Sequence, residues 1–254
     1  MPYINPIPSL NDNIENISIN DESDYIQINE VYFAFIDVLG FKKTFDDIKI
    51  SQEKNNANKY RDVFNYYFSL MSAAKLMKGS YNKSCYAGQT SDSLYFYTDR
   101  ADYLFEFIKI FSHFNLYAMS QNVFFRGGIA KGSLYQKEKY QFYGDSVIVA
   151  YLLESNISKN PIITIDEKTH NDMLRIEEYN NFFDTFQNRY YIKPFNSLNK
   201  DVNLQIDESF FLKEINITDI RNNILKNKSV FEYDMNNYTK YVFLLDLLEK
   251  SNLS

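Results

Sequence analysis

The sequence predicts an α+β fold of the ferredoxin-like, split βαβ type, followed by a C-terminal extension. Two observations predict it. Residues 30–135 show patterns typical of strand, helix, strand, strand, helix and strand, in that order. The two middle strands are separated only by a short polar turn, and both helices have an apolar face. In that arrangement four antiparallel strands form a sheet that carries both helices on one face.

The first strand is predicted over Val31 to Asp37. Its sequence, VYFAFID, is rich in β-branched and aromatic residues, with apolar residues on both faces, which is typical of a buried strand. Gly40 and the polar stretch behind it end the strand. Residues 57–78 then repeat apolar residues at three- and four-residue spacing up to Gly79, which predicts an amphipathic helix that covers the sheet.

A β-hairpin follows, because two short extended runs flank a polar turn at Gln89 to Ser93. Residues 101–121 predict a second amphipathic helix, and residues 122–135 predict a strand interrupted by glycines. The adjacent Gly127 and Gly128 indicate a bulge in this strand, or a place where another backbone segment comes close.

The rest of the chain predicts a helix at 145–155, a strand at Ile162 to Ile165 and a final helix at 236–250. Residues 1–29 are rich in Asn, Asp, Ser and Pro, which indicates a loosely ordered arm. The predicted organisation is therefore an N-terminal arm at 1–29, a main domain at 30–175, and a C-terminal extension at 176–254 that packs on the same domain.

Composition excludes several classes of function. The 254 residues are 45% hydrophobic, enough for a sizeable core, and the formal net charge of −6 argues against a nucleic-acid or anionic-membrane binder. No run approaches the roughly 20 apolar residues of a membrane span. One cysteine, Cys85, and two histidines, His113 and His170, provide neither a disulfide nor a structural zinc set. We therefore predict a cytoplasmic protein with no nucleic-acid or membrane partner.

Two aspartates point to the chemistry. In a split βαβ sheet the first and third strands are neighbours, so Asp37, at the end of the first strand, and Asp92, in the hairpin turn, are expected to converge. Two converging carboxylates repel each other unless they share a proton or bind divalent cations. Each has an ordinary alternative, because Asp37 could cap a helix and Asp92 could serve only the turn. Together they predict a site for Mg²⁺ and a nucleoside triphosphate.

Four motifs in order resemble those of class III nucleotidyl cyclases. FAFIDVLGF resembles their first-strand metal motif, SDSLYFY their hairpin motif with the second metal-binding aspartate, and FRGGIAKG and FYGDSVIVAYLLES their later strand and the helix behind it. The resemblance covers about residues 30–165. Within that superfamily the chain is most similar to the pyrimidine cyclases of Pycsar antiphage defence, which make cyclic CMP or cyclic UMP.

The resemblance implies a set of site residues around the two acids. It implies that Asp37 and Asp92 are the catalytic metal ligands and that Val38 contacts the metal beside them. Two ions, Mg²⁺ or Mn²⁺, are implied as cofactors. The backbone that lies against the nucleotide is implied to be that of Val38, Leu39, Gly40 and Phe41.

Arg126 is the third catalytic candidate. A charged residue that enters an apolar strand needs a partner, which is either a structural carboxylate or a substrate phosphate. Glu154 fits either a solvated helix face or an ion pair.

The chain departs from the purine enzymes at four positions. The lysine and the aspartate that read adenine in adenylate cyclases fall on Gly88 and Gln141. The helical asparagine and arginine that orient the ribose and stabilise the transition state fall on Ile148 and Leu152. Loss of the first pair favours a pyrimidine base. Loss of the second pair leaves the stabiliser of the transition state unassigned.

The resemblance thus predicts a nucleotidyl cyclase, a phosphorus–oxygen lyase that converts CTP or UTP to 3′,5′-cyclic CMP or cyclic UMP and pyrophosphate. It further implies a head-to-tail homodimer and a product that acts on a separate effector protein. Three alternatives stay open: a purine cyclase, a non-catalytic nucleotide-binding module on the same scaffold, and a structural interaction protein.

Overall fold

The protein is described by a computed structural model that covers residues 26–41, 54–76, 85–138, 141–195 and 215–251. The strands within these ranges are β1 Ile26–Val38, β2 Cys85–Thr90, β3 Ser93–Thr98, β4 Phe125–Glu138, β5 Gln141–Tyr143, β6 Ile163–Ile165, β7 Phe183–Phe186 and β8 Arg189–Ile192. They form an eight-stranded sheet of order β2-β3-β1-β4-β6-β8-β7, with β5 paired to β4. Among these described strands only β4 and β6 pair in parallel.

Helices cover both faces of the sheet. They are α1 Lys54–Ala73, α2 Ala101–Ser120, α3 Asp145–Leu152, α4 Glu167–Met173, α5 Ile217–Val230 and α6 Met235–Lys250. The helix α3 continues directly into one π-helical turn at Leu153–Ile157. In the described ranges, no helix combines the length and the apolar character that a membrane span requires.

The predicted fold class is confirmed. The first six elements run β1-α1-β2-β3-α2-β4, and their strands lie in the order β2-β3-β1-β4, which is the split βαβ arrangement. The helices at 145–155 and 236–250 and the strand at Ile162 to Ile165 are also present, with bounds shifted by one to three residues. Gly79, the predicted end of the first helix, lies outside the described residues, as does the predicted arm up to residue 25.

The alternation of side chains along β1 decides where Asp37 points. Ala34, Ile36 and Val38 belong to the core under α1 and α2. Phe33 and Phe35, at the alternate positions, pack on the opposite face with residues of α3. Because successive strand residues point to opposite faces, Asp37 shares the face that α3 covers.

Gly128 allows α3 to lie against that face. A Cβ atom at Gly128 would overlap the carbonyl oxygen of Ala150, in the middle of α3. The predicted close approach of another backbone segment is therefore confirmed, and the segment is this chain's own helix. The contact brings the π-helical turn that follows α3, with Glu154, beside the start of β4.

The C-terminal part of the chain extends the same sheet. The hairpin of β7 and β8 joins it through pairing of β8 with β6. The helix α6 packs with α5 against the end of α2, where buried Tyr241, Leu244 and Leu248 meet apolar residues that include Leu116 and Met119. The helix α5 was not predicted, because it buries only Ile220 and Ile224 and so has a weak apolar face.

Candidate active site

Asp37 lies at the end of β1 between two cross-strand partners. In the ladders Ser93 of β3 is opposite it on one side and Arg126 of β4 on the other. Ser93 Oγ donates a hydrogen bond of 3.0 Å to Asp37 Oδ1, while Arg126 Nη2 lies 3.8 Å from Asp37 Oδ2. Asp92 is the residue just before Ser93, in the turn between β2 and β3. Ser93, Arg126 and the turn that contains Asp92 thus surround one carboxylate.

The pKa of Asp37 is affected by the charge of Asp92. Burial raises the pKa of the Asp37 carboxyl above its usual range, and the negative charge of Asp92 raises it further. The hydrogen bond from Ser93 and the charge of Arg126 oppose this shift. Two acids therefore approach each other with one nearby arginine as partial compensation.

Arg126 is held by a buried carboxylate. Its Nε atom lies 2.7 Å from Glu154 Oε1, and the Glu154 side chain is only 4% exposed. The N–H bond does not point along the line between the two atoms, so the contact is an ion pair without a well-formed hydrogen bond. Of the two partners considered for Arg126, the structural carboxylate is therefore present, and Glu154 is an ion-pair residue and not part of a solvated face.

The segment from Val38 to Phe41 turns away at the end of β1. Gly40 has a φ of +76°, in the left-handed region that glycine adopts without strain. The N–H of Leu39 donates to the carbonyl of Phe124 at 2.8 Å, so this donor is already used within the fold. Val38 remains in the ladder opposite Phe125.

The donor set fits a divalent cation. Among the described residues no group of three or more His, Cys, Asp and Glu side chains is placed to hold a metal ion. The carboxylates of Asp37 and Asp92 are the two predicted donors at this end of the sheet. Mg²⁺ commonly uses one or two carboxylates and completes its shell with water and phosphate oxygens. The raised pKa of Asp37 also fits, because a cation would stabilise a carboxylate that burial first, and the charge of Asp92 second, disfavour.

The positions that depart from purine cyclases have distinct surroundings. A Cβ atom at Gly88 would overlap the ring of Tyr95, which lies across this glycine from the neighbouring strand. Gln141 is exposed on β5. Ile148 and Leu152, on the outer side of α3, are 57% and 44% exposed.

The sequence patterns do not single out Ser93, the residue that orients Asp37. For Glu154 they leave two alternatives, and the structure shows the ion pair, with the side chain buried against Arg126. The SDS motif contained the signal for Ser93, since its second serine is the first residue of β3 and so pairs with β1.

Comparisons with solved structures give cyclase catalytic domains at low identity. The catalytic core of a rhodopsin-guanylyl cyclase with converted specificity is 16% identical, covers 66% of this chain and 97% of its own, and has a TM-score of 0.45. An adenylate/guanylate cyclase/hydrolase from Silicibacter pomeroyi is 18% identical, with coverage of 65% and 96% and a TM-score of 0.44. An adenylate cyclase from Trypanosoma brucei is 10% identical, with coverage of 70% and 94% and a TM-score of 0.48.

No protein-family model matches the chain, and no curated protein matches its sequence. The structural likenesses describe the fold, and the evidence for function is the geometry of the site itself.

Proposed function

We propose that this chain is a metal-dependent pyrimidine nucleotidyl cyclase, which converts CTP or UTP to 3′,5′-cyclic CMP or cyclic UMP and pyrophosphate. The observation that carries the proposal is the position of Asp37 opposite Ser93, with Asp92 in the adjoining turn and Arg126 on the other side. We further propose a cytoplasmic homodimer whose product acts on a separate effector protein in antiphage defence.

The residues of the chain have separate tasks in this reaction. Asp37 and Asp92 hold two Mg²⁺ or Mn²⁺ ions, with Val38 beside them, and Ser93 orients the Asp37 carboxylate. When bound, the ions supply positive charge that lowers the pKa of the ribose 3′-hydroxyl and stabilises the departing pyrophosphate. Arg126, kept in place by Glu154, offers its guanidinium to a phosphate oxygen.

The bond changes are those of an in-line displacement. The 3′-oxygen forms a bond to the α-phosphorus, while the bond from that phosphorus to the oxygen bridging to the β-phosphate breaks. The hydroxyl proton passes to solvent, and pyrophosphate leaves. The backbone from Val38 to Phe41 lies against the triphosphate, and Gly40 supplies the left-handed turn that this segment needs.

The preference for a pyrimidine is supported at Gly88. Adenylate cyclases place a base-reading lysine at this position, and here any side chain would overlap Tyr95. The buried Tyr95 ring fills space that a lysine would use, which favours a smaller base.

A non-catalytic nucleotide-binding module is the second candidate. It is favoured by the exposed, apolar Ile148 and Leu152, at the positions where cyclases carry the asparagine and arginine that act on the transition state. Such a module would bind the nucleoside triphosphate with Mn²⁺ but release no pyrophosphate.

The test is incubation of the purified protein with each of the four nucleoside triphosphates and Mn²⁺, with and without phage lysate, followed by chromatography for cyclic product. We expect cyclic CMP or cyclic UMP, and we expect Asp37→Asn and Asp92→Asn each to lower turnover by about 1,000-fold, since metal ions contribute several kcal/mol to such steps. The control is Asp62→Asn, which changes an exposed acid on α1. Full turnover in either test variant would refute the proposal.

A further inference from the structure

A cavity of about 780 Å³ adjoins the candidate active site through Arg126. It is lined from three directions, by the segment after α3, by the turn between β7 and β8, and by α6. Buried Thr164 and Tyr191, cross-strand partners on β6 and β8, also line it. Four cationic side chains face it, and we call it the cationic cavity: Arg126, Lys159, Arg189 and Lys240.

The charges of this cavity are not balanced locally. None of the described residues that line it is an aspartate or a glutamate. Within the described part of the chain Lys159, Arg189 and Lys240 form no ion pair, and only Arg126 has acidic partners, Glu154 and the more distant Asp37. In a protein of net charge −6, this concentration of positive charge needs an explanation.

Packing holds Lys240 at the cavity. Its neighbours on α6, Tyr241 and Leu244, are buried in the core between α5, α6 and α2. The ring of Phe243, which also lines the cavity, lies 4.7 Å from the ring of Phe186 in β7. The position of the helix is therefore set by apolar contacts, and the lysine is placed by that helix.

Two of the cations, Lys240 and Arg126, are close enough to repel each other. Burial lowers the pKa of Lys240 below its usual range and the positive charge of Arg126 lowers it further, while the charge of Asp234, at the N-cap of the same helix, opposes the shift. Bringing cations together in a partly buried space costs free energy unless an anion offsets it. Amide and hydroxyl side chains, including Asn236 and Thr239, add hydrogen-bonding groups around the same space.

We propose that the cationic cavity binds the polyphosphate chain of the nucleotide, holding the β- and γ-phosphates before the reaction and the pyrophosphate after it. The inference rests on the proposed function, because it places the α-phosphate at Asp37 and Asp92. Arg126 connects the two regions, since it lies 3.8 Å from Asp37 and also lines the cavity. The volume suits a small-molecule ligand, and a chain of phosphates matches several converging cations.

The test is isothermal titration calorimetry with inorganic tripolyphosphate in buffer containing EDTA, so that no metal contributes. We expect the wild-type protein to bind tripolyphosphate, and Lys240→Gln and Arg189→Gln each to weaken binding about tenfold, the usual effect of losing a hydrogen bond to a charged group. The control is Lys250→Gln, on the same helix, where the lysine pairs with Asp246 outside the cavity. Absence of binding by the wild type, or unchanged affinity in both test variants, overturns the inference.

A second arm separates the nucleotide's own phosphates from an independent anion. CTP or UTP is expected to displace tripolyphosphate, and simultaneous binding of both would overturn the assignment to the substrate. Asp62→Asn is expected to keep its affinity for tripolyphosphate, because this exposed acid on α1 lies outside the cavity. If the cavity does not bind polyphosphate, the Lys240 and Arg189 variants will show no loss of affinity for tripolyphosphate. If the chain is not a cyclase, that result will appear only in assays of cyclic product.

Discussion

Arg126 and Asp37 are direct cross-strand partners, and Arg126 Nη2 lies 3.8 Å from Asp37 Oδ2. The Arg126 guanidinium therefore lies between the carboxylates of Asp37 and Glu154, and it also lines the cationic cavity. Its charge offsets part of the repulsion between Asp37 and Asp92. The arrangement keeps two acids close together in the folded protein.

The first prediction concerns the charge on Asp37. Burial and the charge of Asp92 raise the pKa of the Asp37 carboxyl, so the folded protein holds this proton more tightly than the unfolded chain does. The stabilisation is therefore present below the unfolded pKa and is lost as pH rises through the raised pKa. At neutral pH without metal, we expect Asp37→Asn to melt at or above the wild-type temperature.

Mn²⁺ should raise the melting temperature of the wild type but not of Asp37→Asn, because a ligand stabilises only the protein that binds it. Thermal unfolding followed by circular dichroism, with Asp62→Asn as control, measures both effects. Equal stabilisation of both proteins by Mn²⁺ would show that Asp37 is not a metal ligand.

The second prediction concerns Glu154. Its side chain is 4% exposed and that of Arg126 is 26% exposed, so Glu154→Gln leaves a largely buried guanidinium without its nearest acid. We expect the free energy of unfolding to fall by about 1 kcal/mol, less than for other broken buried ion pairs, because burial and the charges of Asp37 and Asp92 already raise the pKa of Glu154. Urea denaturation measures this free energy of unfolding. The control is Glu249→Gln, at an exposed position on α6. A loss no larger than that of the control would mean that the pair does not hold Arg126 in place.

The third prediction concerns Gly88 and Tyr95. Gly88→Ala places a methyl group where the Tyr95 ring lies, so we expect a loss of about 1–3 kcal/mol in unfolding free energy, typical of an overpacked site. In a Tyr95→Ala background the same substitution should cost almost nothing, because the ring is gone. A double-mutant cycle measures this coupling, with Thr90→Ala at the exposed end of β2 as an uncoupled control. Additive effects of Gly88→Ala and Tyr95→Ala would contradict the steric explanation.

The fourth prediction concerns pH and the cationic cavity. Burial and the charge of Arg126 lower the pKa of Lys240 more than the charge of Asp234 raises it, so this lysine loses its proton at a lower pH than an ordinary lysine. We expect affinity for tripolyphosphate to fall as pH rises through that lowered pKa. The matched variant is Lys240→Arg, which keeps its charge throughout, so its affinity should change less over pH 7–10. Calorimetry at several pH values measures both proteins, and parallel curves would exclude Lys240 as the titrating group.

Much of the fold could be predicted because its signals are local. Three such signals are the apolar pattern from Val31 to Asp37, the polar turn before Ser93 and the apolar face of residues 101–121. Each depends only on side chains that are neighbours along the chain. The order of these elements then restricted the topology to the split βαβ arrangement, in which Asp37 and Asp92 must come near each other.

Other features depended on contacts between distant segments. Pairing of β8 with β6 and docking of α6 on α2 join parts of the chain that are far apart in sequence, and no local pattern encodes such pairings. Burial of Glu154 likewise required α3 to pack against Gly128.

By itself the sequence determined the order of the first six elements and the fold class, and it singled out the two acids, since strand alternation and helix periodicity are properties of neighbouring residues. Only the tertiary structure decided that Ser93 orients Asp37, that Glu154 holds Arg126, and that Lys240 and Arg189 face one cavity. The physical reason is that these contacts depend on which faces of distant segments meet, and that is settled by burial of apolar surface across the whole chain.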